Sequence, residues 1–325
     1  MISAPRVIAC LLVALSLPGL NENVARAEDY PTHPVRIIVG YGAGAQADTP
    51  ARLLAQKFSA VLGQQFVVEN KPGAGGNLAA AYVAHARGDG YTLLMATSAQ
   101  SVYAATTLDP AYDVKKDFAP IIRVASLSLV LVAHPSLGVG NLRELIALAK
   151  QKPGRIFYGT SGVGTVTHMA GELLNMMAGI KLVDVPYPGS AQALTDALSG
   201  RVPLLMTPVS SVVQQIANGE LKALAVASAQ RASIAHEIPT MSEAGLPGYD
   251  LDLWFGLLAP AGTPAATVGK LAHIADMALK TDDIGGAMRR VGIDPVGGSP
   301  EDFARYIDAE VKKATDVAVA ANLRK

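Results

Sequence analysis

Down most of this sequence, short runs rich in β-branched residues end in glycine or small hydroxylic residues and alternate with segments whose apolar residues recur at helical spacing. Residues 35–39 make such a run, closed by Gly40, and residues 50–62 follow with a helical pattern that stops at Gly63. A second strand is expected at 65–69, a helix at 77–87 and a third strand at 91–96. Alternation of this kind predicts an α/β architecture, with mixed, mostly parallel sheets flanked by helices on both faces. The 31 Gly and 20 Pro supply the many tight connections it needs and argue against an all-helical chain.

Two apolar segments are too long for one ordinary strand or break the alternation, at 121–133 and 251–259. Between them the pattern resumes as a self-contained block: helices at 142–150, 165–178, 191–198 and 209–218, and strands at 155–158, 182–185, 202–206 and 221–227. Helices at 264–280 and 300–320 close the chain, the last opened by Ser299-Pro300-Glu301-Asp302, with a capping serine, proline at the first helical position and an acid at the third. The chain is therefore expected to leave one domain (28–126), build a second (127–252) and return to the first (253–325). Two crossings make a hinge.

The N-terminus reads as a secretory signal over 1–27. Arg6 precedes the apolar run 7–20, which is shorter than the roughly 20 residues of a membrane span, and Ala25-Arg26-Ala27 offers small residues for cleavage. Cys10, the one cysteine, lies in that run, so the exported chain would carry no disulfide. At 50% apolar and 17% charged residues the chain can bury a core without metal or disulfide staples. Lys+Arg and Asp+Glu balance at 27 each, which excludes the basic footprint of a nucleic-acid or anionic-membrane binder.

In open α/β sheets ligands bind where strand ends lead into helix N-termini. Here those loops are Gly40 to Asp48, Thr97-Ser98-Ala99, Gly159 to Thr165, Pro186 to Ser190 and Thr207-Pro208, and none holds Arg or Lys. Several helix N-termini converging on a cleft would offset about one carboxylate charge, with the hydroxyls of Ser98, Ser161 and Thr165 as further donors. Tyr41, a large aromatic in a glycine loop, is expected to line the pocket. Asp48 is expected to cap the first helix, and His168 and Trp254 are either ligand contacts or structural. No Gly-x-Ser-x-Gly, phosphate-loop or HExxH pattern is present, and the six His are scattered, so no catalytic residue, metal or cofactor is expected. Gly40-x-Gly42-x-x-Ala45 with Glu69 mimics a dinucleotide fingerprint, but Glu69 lies 29 residues after Gly40 rather than about 20. A secreted dinucleotide-dependent oxidoreductase is thus the weakest alternative.

The stretches Tyr30-Pro31-Thr32-His33-Pro34-Val35-Arg36, Val68-Glu69-Asn70-Lys71-Pro72-Gly73-Ala74-Gly75-Gly76-Asn77, Asp89-Gly90-Tyr91-Thr92-Leu93-Leu94 and Lys116-Asp117-Phe118-Ala119-Pro120 resemble, in order, those of the Bug-type periplasmic receptors of tripartite tricarboxylate transporters. Val185-Pro186-Tyr187, Ala193-Leu194-Thr195-Asp196 and Glu243-Ala244-Gly245-Leu246-Pro247-Gly248-Tyr249 extend the match. The resemblance implies a type II periplasmic binding protein, a two-domain Venus flytrap that closes on a small organic carboxylate and delivers it to a membrane permease. It also implies a monomer without cofactor or nucleic acid; a carboxylate sensor for a signalling partner would share the same pocket. By position it points to Tyr41, Ala43, Gly44, Ala45, Thr97, Ser98, Ser161, Gly162, Thr165, Gly189, Ser190 and Ala191 as the residues around the ligand, with Asp48, His168, Thr207 and Trp254 as secondary candidates.

The sequence departs from that family's pattern at informative places. Gly40-Tyr41 stands where Pro-Phe is usual, Ala45 where a second glycine is usual, Pro188 where Lys or Arg is common and Thr207 where Asp is frequent. Losing a base and an acid near the cleft leaves an amino-acid ammonium one partner short. An organic acid without an amine is the expectation.

Overall fold

The computed structural model describes residues 30–324; the expected signal over 1–27, with Arg6 and Cys10, lies outside them. In chain order the first part holds β1 (Val35–Val39), α1 (Asp48–Leu62), β2 (Phe66–Asn70), α2 (Asn77–Ala84), β3 (Thr92–Thr97), α3 (Ser98–Thr106) and β4 (Phe118–Leu127). A second group follows: β5 (Leu129–Ala133), α4 (Leu142–Gln151), β6 (Ile156–Thr160), α5 (Val166–Ala178), β7 (Leu182–Pro186), α6 (Ser190–Leu198), β8 (Leu204–Pro208), α7 (Val213–Ala217) and β9 (Lys222–Val226). The chain ends with β10 (Leu253–Pro260), α8 (Ala265–Leu279), α9 (Ala287–Arg289), β11 (Asp294–Pro295) and α10 (Pro300–Ala320).

These strands form two sheets, β11-β4-β10-β3-β1-β2 and β7-β6-β8-β5-β9. The long apolar segment at 121–133 is two strands in different sheets with only Ser128 between them. Because β4 leaves its sheet at the end facing the other lobe, β5 enters the second sheet from the corresponding end and runs antiparallel to both β8 and β9. The return obeys the same geometry, so β10 is antiparallel to β3 and β4. The pairs β1–β2, β1–β3, β6–β7 and β6–β8 are parallel, as their helical crossovers require. Ser128 and Ser228, on the two crossing segments, share a hydroxyl contact of 2.8 Å.

Each sheet buries apolar side chains on both faces, which gives two core clusters per lobe. The helix α10 serves both lobes. Phe303, Ile307, Glu310, Ala314 and Val317 recur at helical spacing and form its buried stripe; Phe303 and Ile307 join Trp254, whereas Ala314, Val317 and Ala318 join Met169 and Leu173 of α5. Its start is fixed as expected, with Ser299 Oγ accepting the Asp302 N–H and Asp302 accepting the Ser299 N–H, both at 3.1 Å. Such a cap contributes about 1 kcal/mol.

Three expectations change. The helix expected at 209–218 is a 3₁₀ turn, Val209–Ser211, followed by the short α7, because buried Val212 takes a non-helical conformation at φ −136°, ψ 3°. The strand expected at 202–206 begins at Leu204, beyond Pro203, which has no N–H to give a ladder. The segment 98–106, of which only Thr97-Ser98-Ala99 is read, as a loop, is the helix α3.

Candidate functional site

The loops after β1, β3, β6, β7 and β8 meet between the lobes around a cavity of about 730 Å³. Tyr41, Ala45, Thr97, Ser161, Thr165 and Ser190 of the sequence candidates line it, together with Gln46, Ala47, Ala74, Tyr103, Val163, Val166, Pro208, Leu253 and Phe255. Among the described residues, no charged side chain is part of this lining.

On the β1 side, Asp48 does not cap α1. Ala47 holds the cap position and Asp48 is the first helical residue. The Asp48 carboxylate instead reaches back along the loop, accepting the Gly44 N–H at 2.8 Å, Arg52 Nε at 2.8 Å and Asn70 Nδ2 at 2.9 Å. Burial works to raise this carboxyl, but the bonds from Arg52, Gly44 and Asn70 outweigh it and hold it below the usual range. The Gly44 N–H is therefore spent inside the protein, and the Ala45 N–H goes to Gly42 O at 3.1 Å. Tyr41 donates to Gly75 O at 2.8 Å and lies 3.2 Å from Thr97 Oγ1; burial pushes its hydroxyl up. This clasp requires Gly40, where a Cβ would sit 2.5 Å from Gly76 Cα, backbone against backbone.

On the second lobe, the β6–α5 loop is knotted by hydroxyls. Ser161 N–H donates to Thr167 Oγ1 at 3.0 Å, Ser161 Oγ and Thr165 Oγ1 each lie 2.9 Å from Thr167 Oγ1, and Thr165 donates to Gly162 O at 2.7 Å. His168 is a support and not a cleft residue. Its Nδ1 accepts the Gly164 N–H at 3.1 Å, so the ring proton sits on Nε2, which faces Glu172 Oε1 at 3.9 Å and Asp184 Oδ2 at 3.8 Å. Burial raises the Asp184 carboxyl despite the hydrogen bond it accepts from Thr160 at 2.7 Å. Among the described residues no group of three or more His, Cys, Asp or Glu is arranged to hold a metal ion.

The remaining candidates lie off the cavity wall. Ala43, Gly44, Gly162, Gly189 and Ala191 sit in the same loops but do not line it, and Ser98 faces a small void between α3, α5 and α10. Thr207 is 1% exposed, its hydroxyl sealed without a partner among the described residues. Trp254 is fully buried, edge-on to Phe303 and Tyr306 at 5.5 and 6.2 Å, so it is hinge-side core. Sequence reasoning missed Tyr103, which α3 brings to the wall; the Thr97-x-x-Gln100 capping box that starts α3 was a usable signal.

What the cavity offers an anion is therefore a subset of main-chain donors. Among the described residues nothing accepts the N–H groups of Gln46, Ala47, Ser190 and Ala191, around the starts of α1 and α6. Ser190 and Ala191 are unpaired first-turn donors of α6, whereas Gln46 and Ala47 lie just ahead of α1, whose own first N–H, at Asp48, goes to Ala45 O at 2.9 Å.

A family model described as "Tripartite tricarboxylate transporter family receptor" matches residues 50–323. BugT of Bordetella pertussis (strain Tohama I) is 32% identical over 310 residues, covering 95% of this chain and 95% of BugT. Among solved structures, Rpa4515 of R. palustris with adipate is 37% identical with a TM-score of 0.76, over 90% of this chain and 99% of that one. MatC from Rhodopseudomonas palustris with bound malate is 30% identical with a TM-score of 0.72, over 89% and 99% of the two chains.

Proposed function

Because the chain belongs to the tripartite tricarboxylate transporter receptor family, we propose that it is a periplasmic receptor that captures a small organic carboxylate in the cleft between its lobes and hands it to a membrane permease. It is a solute-binding protein and not an enzyme, as are its family and its structural neighbours. The observation that carries the carboxylate reading is the set of open N–H groups at Gln46, Ala47 and Ser190, around the starts of two helices that border one cavity. Each helix start contributes roughly half a positive charge, so two offset about one carboxylate without any cationic side chain. The adipate in Rpa4515 and the malate in MatC, both carboxylates in relatives of this fold, support the reading.

In this reading residues 28–126 with 253–325 form one domain and residues 127–252 the other. They swing about the crossings at Ser128 and ahead of β10. The ligand touches both lobes only when they are shut, so binding shifts the population to the closed form. Tyr41, Ala45, Thr97, Ser161, Thr165 and Ser190 form its surroundings, and Gly44, Asp48 and His168 hold the loops that present them.

Ser190→Pro tests the reading directly. Proline is tolerated at the first position of a helix, and Gly189 before it is already extended with ψ 162°. The substitution removes one open N–H and one hydroxyl while leaving α6 intact. A charge-assisted hydrogen bond lost from a carboxylate is about 1.5–3 kcal/mol, so affinity for whichever acid stabilises the protein most in a thermal-shift screen should fall at least tenfold. Unchanged affinity in a folded variant would refute the assignment of α6.

A further inference from the structure

Resting on the carboxylate reading above, we infer that the ligand carries a single carboxylate on an uncharged, largely apolar body at least as large as an aromatic ring. The open main-chain donors of the cavity lie just ahead of α1, at the starts of α5 (Val166 and Thr167) and α6, and at Val163, with Ser161 and Thr165 beside them. The rest of the wall is Ala74, Tyr103, Val163, Val166, Leu253 and Phe255, and the cavity of about 730 Å³ is far larger than a carboxylate alone requires.

The polar side chains on that wall are all neutral and most are engaged, although the Tyr103 hydroxyl keeps its own proton, Asn77 one amide N–H, and the Gln46 amide has no partner among the described residues. Tyr41 donates to Gly75 O, Thr106 Oγ1 donates to Val102 O at 2.8 Å, and Tyr103 Oη accepts the Ala111 N–H at 3.0 Å. Asn77 gives its amide N–H to Ala74 O at 2.7 Å and its oxygen to Tyr112 at 2.6 Å. A second carboxylate placed along this wall would lose hydration and meet no cation, and an ammonium would meet no anion. Asp48, the nearest acid in the loops, is buried behind the lining and held by Arg52. An apolar body meets the opposite situation, because most of the surface it covers there is carbon and its burial is favourable.

Calorimetric titration of the full protein at pH 7.5 with matched pairs tests this: benzoate against terephthalate, hexanoate against adipate, and 3-phenylpropionate against phenylalanine. Within each pair that binds, the monoacid is expected to bind at least tenfold more tightly than the diacid or the amino acid. A diacid or amino acid that binds as tightly as its monoacid overturns this inference and leaves the carboxylate reading standing. Silence from every acid, with the protein folded by its melting curve, takes down the carboxylate reading itself. A gain of function gives the second readout: Val163, 55% exposed at the mouth, accepts lysine without burying it. Val163→Lys should shift the monoacid-to-diacid affinity ratio at least fivefold towards the diacid, and an unchanged ratio counts against the inference.

Discussion

Asp252 should make the protein less stable as pH rises, the reverse of an ordinary paired carboxylate. It lies where β10 returns from the second lobe and is 7% exposed. Its Oδ2 accepts Arg123 Nη2 at 2.8 Å, its Oδ1 accepts the Tyr306 hydroxyl at 3.0 Å, and the Arg123 guanidinium stacks 3.7 Å over the Tyr306 ring. Burial is the dominant influence on the carboxyl. It is offset by Arg123 but reinforced by the negative charges of Asp250 and Glu310, and the group is pushed up to about 6. The unfolded value is about 3.9, so between the two the folded chain holds more protons than the unfolded one and stability falls as pH rises. At about 1.4 kcal/mol per pH unit, raising pH from 4.5 through 6 to 7.5 removes about 2 kcal/mol. Asp252→Asn imitates the protonated acid and removes that slope. The stability of the parent relative to the variant should therefore drop by about 2 kcal/mol over this range. That is about 3 °C in melting temperature for a chain of this size. The single tryptophan, Trp254, is fully buried two residues away and reports the melt by fluorescence. Parallel melting-temperature profiles for the two proteins, or a gap that moves in favour of the parent as pH rises, would refute the reasoning.

Two further substitutions test packing and the loop around the cleft. Gly171→Ala places a methyl 2.1–2.4 Å from the ring and hydroxyl of buried Tyr158, which is itself tied to Glu172 at 2.9 Å, so overpacking should cost about 1–3 kcal/mol; a melting temperature equal to the parent's would show that α5 yields freely. Asp48→Ala releases Gly44, Arg52 and Asn70 together and should cost about 2 kcal/mol at pH 7. Because the folded Asp48 carboxyl is held low, that advantage of the parent is present above the unfolded value of about 3.9 and is lost on acidification below it; a gap in denaturation midpoint that persists into strong acid would contradict the assignment.

The parts of this fold legible in the sequence are those set by neighbours in the chain. The run 35–39 ending in Gly40, the capped start at Ser299 and the overlong apolar segment at 121–133 each carry their own instruction, and β1, α10 and the crossing at Ser128 follow from them. The misread elements are those decided by distant partners. Residues 209–218 look like one helix, but three valines weaken it and Val212 is drawn into the core. The helix α3 is built of Ser, Ala, Gln, Thr, one Val and one Tyr and lacks a strong apolar stripe, yet α10 packs across it and fixes it.

The same division runs through the cleft and decides which predicted contacts can serve a ligand. Glycine and hydroxyl loops at strand ends can be read off the sequence, and so can the absence of arginine and lysine from them. Which of their N–H groups stay open cannot be read, because each acceptor comes from folding. Gly44 gives its N–H to Asp48, Ser161 to Thr167 and Gly164 to His168, whereas the Ser190 N–H finds no acceptor among the described residues. A carboxylate competing for the first three would have to displace an internal hydrogen bond of comparable strength, and at Gly44 an existing carboxylate. At Ser190 it displaces only solvent. The affinity of the site therefore rests on the few donors the fold leaves over, so that one proline at Ser190 should weaken binding more than substitutions at better-conforming glycine positions such as Gly42, where a Cβ would meet nothing within 4 Å.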